Sequence, residues 1–83
     1  MPNAKLYVNP GSVTLLGTGL QPGQTYKFDL RRYDPGSTTD YDDTRTSADG
    51  AGNGTVTWPV SPAPGGSYVG LIYDGGAVIA VAV

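Results

Sequence analysis

Thr25-Tyr26-Lys27-Phe28-Asp29-Leu30-Arg31-Arg32-Tyr33 decides how the rest of the chain reads. Tyr26, Phe28 and Leu30 fall on one side of an extended backbone, with Lys27, Asp29 and Arg31 on the other. That alternation is the period-two pattern of a strand with one face in a core and one in water. Just before it stands Leu20-Gln21-Pro22-Gly23-Gln24, where Pro at the second position and Gly at the third fit a type II turn. Just after it, Asp34 to Asp49 is polar and rich in Asp and Thr. It reads as a long acidic loop carrying at most one short strand, around Thr39 to Thr46.

Working outward, the same alternation recurs in short runs. Lys5 to Val8 reads as a strand within an N-terminal arm, residues 1–12, and ends at Asn9-Pro10-Gly11. Val13 to Gly19 is a second strand. Asp49-Gly50-Ala51-Gly52-Asn53-Gly54 reads as a hairpin connection. Thr55 to Val60 follows, with Val56, Trp58 and Val60 inward. Ser61 to Gly66 is a Pro- and Gly-rich connector. Ser67 to Tyr73 and Ala77 to Val83 are the last strands, joined by the tight turn Asp74-Gly75-Gly76. No segment keeps helical periodicity for three turns. The expectation is one all-β domain over residues 1–83, with about seven short antiparallel strands in a sandwich or a small closed barrel.

Composition narrows the function classes. A chain of 83 residues buries about 60–65% of its unfolded surface, and such a core alone gives about 3–5 kcal/mol. With Cys 0 and His 0, neither disulfides nor the usual zinc and copper ligand sets can supplement it. Oligomerisation or attachment to a larger body is the support left. The five basic residues form no run, and net charge is −2, which argues against nucleic acid as a partner. The longest apolar run, Ala77 to Val83, is too short to cross a membrane as a helix. Met1 to Lys5 lacks the charged start and apolar run of a secretory signal. The chain therefore reads as a complete gene product made in the cytosol.

Three stretches, in this order, resemble bacterial and phage immunoglobulin-like modules. VTLLGTGLQPGQTY (13–26) resembles their second and third strands with the intervening Gly-x-Gly-apolar-x-Pro-Gly turn. TSADGAGNGTVTWPV (46–60) resembles the Asp-Gly connection before the fifth strand. PGGSYVGLIYDGG (64–76) resembles the Pro-Gly-x-Tyr entry to the sixth. The resemblance covers Val13 to Val83 and implies an immunoglobulin-like β-sandwich. It departs from antibody domains in having no cysteine pair and in placing Trp58 in the fifth strand. Tyr68 is expected either as a core aromatic or as a tyrosine corner.

No catalysis is expected, because His, Cys and Glu are absent and no Ser has a base in a recognisable motif. Asp34, Asp40, Asp42 and Asp43 are the nearest approach to a metal set. Their spacing does not match a calcium loop, and Arg45 is near enough to pair with one of them. The expectation there is a solvated acidic loop with no metal or other cofactor. Among the aromatics, Tyr26, Phe28, Trp58 and Tyr68 fall at inward positions, which leaves Tyr33, Tyr41 and Tyr73 free to stack on a sugar.

The last two strands are apolar on both faces. One face belongs to the core. The other should be wet in an isolated sandwich, yet it offers Val69, Leu71, Tyr73, Val78, Ala80 and Ala82. Burying about 300–400 Å² of it would contribute on the order of 8–10 kcal/mol before association costs. Contiguous exposed apolar surface of this kind marks an interface. Leu6 and Tyr7 of the arm are a second expected contact. Together with the resemblance, these features lead to the expectation of a non-enzymatic phage virion protein. It would decorate the outer head surface as a homo-oligomer, bound to the major capsid protein or another virion protein. The alternatives are a tail or baseplate protein that binds the host surface, and a free-standing carbohydrate- or calcium-binding module.

Overall fold

A computed structural model describes residues 1–34, 37–59 and 67–83, apart from the side chains of residues 33–42. The strands are β1 (Asn3–Asn9), β2 (Ser12–Thr18), β3 (Thr25–Asp34), β4 (Ser37–Ser47), β5 (Gly54–Trp58), β6 (Ser67–Asp74) and β7 (Ala77–Ala82). They form two antiparallel sheets, ordered β1-β2-β5 and β4-β3-β6-β7. The sheets remain separate, so the closed-barrel alternative is set aside in favour of a two-sheet β-sandwich. The fourth strand pairs with the third, whereas constant-type antibody domains place it in the opposite sheet.

Alternation sets the core. From β3 come Tyr26, Phe28 and Leu30, from β2 Val13 and Leu15, from β5 Val56 and Trp58, and from β6 Tyr68 and Ile72, all buried in one cluster. At three positions a glycine of one sheet makes room for a side chain of the other. Gly17 and Gly54 are directly opposed across β2 and β5. A Cβ built on either would lie 3.1 Å from Phe28 Cζ, so the Phe28 ring occupies the hollow they leave. The reciprocal hollow is at Gly70 on β6, where a Cβ would lie 2.6 Å from Leu15 Cδ1 and 3.2 Å from Leu6 Cδ1. Trp58 Nε1 is buried without a hydrogen-bond partner among the described residues.

The chain crosses between sheets side by side at one end. From β2 to β3 it passes through Gln21-Pro22-Gly23-Gln24, a turn closed by Gln24 N–H donating to Gln21 O at 3.1 Å. Gly23 there has φ +79°, as the third position of a type II turn requires. From β4 to β5 the chain also changes sheets, so residues 49–54 are not the hairpin connection expected from their glycines. Asp49 Oδ1 instead accepts from Ala51 N–H and Asn53 N–H, both at 2.9 Å. The two crossings bond each other: Leu20 N–H to Gly52 O at 3.0 Å, Gly23 N–H to Ala48 O at 2.9 Å, and Ala48 N–H to Gln24 O at 3.0 Å. Gly52, at φ +81°, would bring a Cβ to 2.5 Å from the Leu20 carbonyl oxygen. Tyr26 Oη accepts the Gln21 N–H at 2.9 Å and ties the first crossing to β3.

Two further expectations are corrected. The acidic loop over 34–49 is largely a strand, because β4 runs for 11 residues and pairs with β3 from Thr25↔Ser47 to Asp34↔Ser37. Its threonines supply β-propensity, and an edge position tolerates its charges. In β7, Ala80 and Ala82 were expected to face outward, yet they are only 9% and 6% exposed and belong to the core. The cause is a register shift between Ile72 and Tyr73: Tyr73 pairs with Val78, but Ile72 pairs with Ala80. The extra residue, Ile79, reverses the facing of everything after it. Val60 and the connector over 61–66 lie outside the described residues.

Gly70→Ala is expected to cost about 1–3 kcal/mol, because the buried Leu15 and the part-buried Leu6 must move. Gly52→Ala is expected to cost at least about 2 kcal/mol through left-handed strain and the carbonyl clash. Gly76→Ala, where a Cβ meets nothing within 4 Å, should stay within about 0.5 kcal/mol. Urea denaturation of the three variants against the parent measures all of these values.

Candidate functional site

The outer face of the four-stranded sheet divides into a charged half on β4 and β3 and an apolar half on β6 and β7. Cross-strand pairing builds it in rows. Arg45, Lys27, Tyr73 and Val78 share one row, and Asp43, Asp29, Leu71 and Val81 the next. Arg31 and Val69 begin a third.

The charges neutralise each other laterally. Arg31 Nε donates to Asp29 Oδ2 at 3.2 Å, and Lys27 Nζ lies 3.7 Å from Asp43 Oδ2. Lys27 Nζ also sits 4.2 Å from the centre of the Tyr73 ring, within cation–π range. Arg31 Nη2 donates to Tyr73 Oη at 3.4 Å. Asp29, although it points to the outer face, is only 6% exposed. A carboxylate buried this deeply must keep its partner, whereas the exposed Lys27–Asp43 pair contributes little.

The apolar half is less covered. Val69 and Leu71 are half-buried between their neighbours, whereas Val78 and Val81 are 47% and 55% exposed. Val83, one residue beyond β7, is 92% exposed. β7 borders the sheet, and its second edge pairs with no strand among the described residues.

Of the residues expected at an interface, Val69, Leu71, Tyr73 and Val78 share this face. Ala80 and Ala82 do not, for the reason given above. Leu6 packs toward the core against Gly70. Tyr7 is exposed on the outer side of the other sheet, away from the β6–β7 strip. Val81 and Val83 were missed because nothing in Ala77-Val78-Ile79-Ala80-Val81-Ala82-Val83 marks the bulge.

Tyr73 is engaged by Lys27 and Arg31 rather than free. The side chains of Tyr33, Tyr41, Asp34, Asp40 and Asp42 lie outside the described residues. Tyr68 is buried, and residues 60–66 upstream of it, where a tyrosine-corner bond would fall, lie outside the described residues; Tyr26 Oη accepts the Gln21 N–H. Among the described residues, no group of three or more His, Cys, Asp or Glu could hold a metal ion. No protein-family model matches the chain, and neither does any curated protein or solved structure.

Asp29→Ala is expected to lower stability by about 1–3 kcal/mol by removing the buried carboxylate that accepts from Arg31 Nε. Asp43→Ala should cost less than about 0.5 kcal/mol. Thermal unfolding of both variants tests the contrast.

Proposed function

We propose that this chain is a non-enzymatic structural protein of a phage virion, a decoration protein that binds the outside of the assembled head and strengthens it. The observation that carries the reading is the apolar border of the four-stranded sheet. There Val78 and Val81 stand exposed beside Leu71 and Val69, on a face where Lys27 pairs with Asp43 and Arg31 with Asp29. Such a surface favours docking on another protein over holding a small ion. The resemblance of residues 13–83 to phage immunoglobulin-like modules supplies the virion context.

The mechanism is linkage. A protein that binds the assembled shell and not its free subunits stabilises the shell, by about 2.7 kcal/mol per site at a free concentration about 100 times Kd. Many equivalent sites turn a modest interface into a large total. The partner on this reading is the major capsid protein or another virion protein. The glycan-binding alternative is less supported, because the ring of Tyr73 is already covered on one side by Lys27.

The test is saturable binding of the purified protein to mature capsids that lack it, followed by heating. Bound protein is expected to raise the capsid disassembly temperature. Val78→Asp, at an exposed position, should weaken binding about tenfold or more while leaving the domain folded. Absence of both binding and thermal protection would remove the reading. A rise in the protein's own unfolding temperature with saccharide or calcium would replace it with the ligand-module alternative.

A further inference from the structure

We infer that β7 pairs with β7 of a second copy, antiparallel about a two-fold axis at Val81, joining the two four-stranded sheets into one sheet of eight. The inference deepens the reading of the β6–β7 side as the assembly side and names one of its partners. Four strands border the sheets: β1, β5, β4 and β7. β1 carries Lys5, β4 carries Asp40, Asp42, Asp43 and Arg45, and β5 presents exposed Thr55 and Thr57 before Pro59. β7 alone has neither charge nor polar side chain. Native edges are ordinarily protected by charge, Pro or a bulge, and here the only such device is the bulge at Ile79, which leaves the residues after it regular.

A two-fold contact must be complementary to itself. In a chain of net charge −2, an uncharged strand meets its own copy without opposing like charges. Centring the axis on Val81 sets Val81 against Val81 and Ala80 against Ala82, with the bulge residue Ile79 at the end of the ladder. Because directly opposed residues share a face, the small inward alanines meet one another and the two exposed Val81 side chains meet on the outer face. An axis nearer the hairpin would place the bulge at the centre of the ladder. β1 packs against both β6 and β7 but forms no ladder with β7, whose outer edge pairs with no strand among the described residues.

The natural absence of cysteine makes the test direct. Opposed residues in such a ladder have Cα atoms about 4.5–5.5 Å apart, within reach of a disulfide. Val81→Cys, incubated with oxidised glutathione at tens of micromolar protein, is expected to convert mostly to a disulfide-linked dimer on a non-reducing gel. Val78→Cys, equally exposed but away from the axis, should remain mostly monomeric. Sedimentation of the unmodified protein should show a dimer that Val81→Lys dissociates. Equal cross-linking of both cysteine variants, or none at Val81, would overturn the pairing. So would an unmodified protein that stays monomeric at these concentrations. If that monomer still binds capsids, only the two-fold contact falls and the decoration reading stands. A dimer that binds no capsid would have the opposite meaning.

Discussion

The close approach of two sheets at three glycines is the constraint on which the remaining packing depends. Phe28 from one sheet enters the hollow at Gly17 and Gly54, and Leu15 from the other sheet enters the hollow at Gly70. Each sheet thus supplies both a projection and a recess. The geometry brings small side chains such as Ala80 and Ala82 into a shared core. In a domain with no disulfide, dense packing of this kind carries much of the stability. It also makes the sandwich sensitive to a single added methyl group at its centre.

The crossing end has a different role. Leu20 and Ala48 are buried there, and the backbone around them is bonded in both directions. Burying backbone polar groups is tolerable only when they are paired. Here each crossing satisfies the other. The Asp49 carboxylate then fixes the return toward β5, which holds Gly54 opposite Gly17. The loops therefore set the spacing that the glycine hollows need.

Much of this was legible in the sequence. Tyr26, Phe28 and Leu30 announced β3 and its inward face by alternation alone, and Pro22-Gly23 announced the turn before it. Val56, Trp58 and Tyr68 were rightly placed in the core. What escaped followed from tertiary context. β4 is polar on its surface, so its threonines competed with a loop-like density of Asp, and only pairing with β3 made it a strand. The glycines of residues 49–54 signalled a reversal but not which sheet it led to. The bulge at Ile79 inverted the end of β7, because an all-apolar run carries no period to betray a one-residue slip. Val69, Leu71 and Tyr73 of β6 were therefore assigned to the outer face they occupy, whereas half of β7 faces the other way.

The position of β5 has a kinetic consequence. β1–β2, β3–β4 and β6–β7 are each joined by a short turn and can form locally. β5 has no neighbour in sequence with which to pair. Its partner is β2, and Thr14 and Thr57, whose hydroxyls meet at 2.9 Å, are 43 residues apart. Closing so long a loop is entropically unfavourable before contacts compensate it. The pairing of β3 with β6 spans as long a stretch, from Lys27 to Tyr73. The slow events in folding should thus be these two long-range pairings, and the arrival of β5 beside β2 is the one that completes the seat of Phe28 at Gly17 and Gly54.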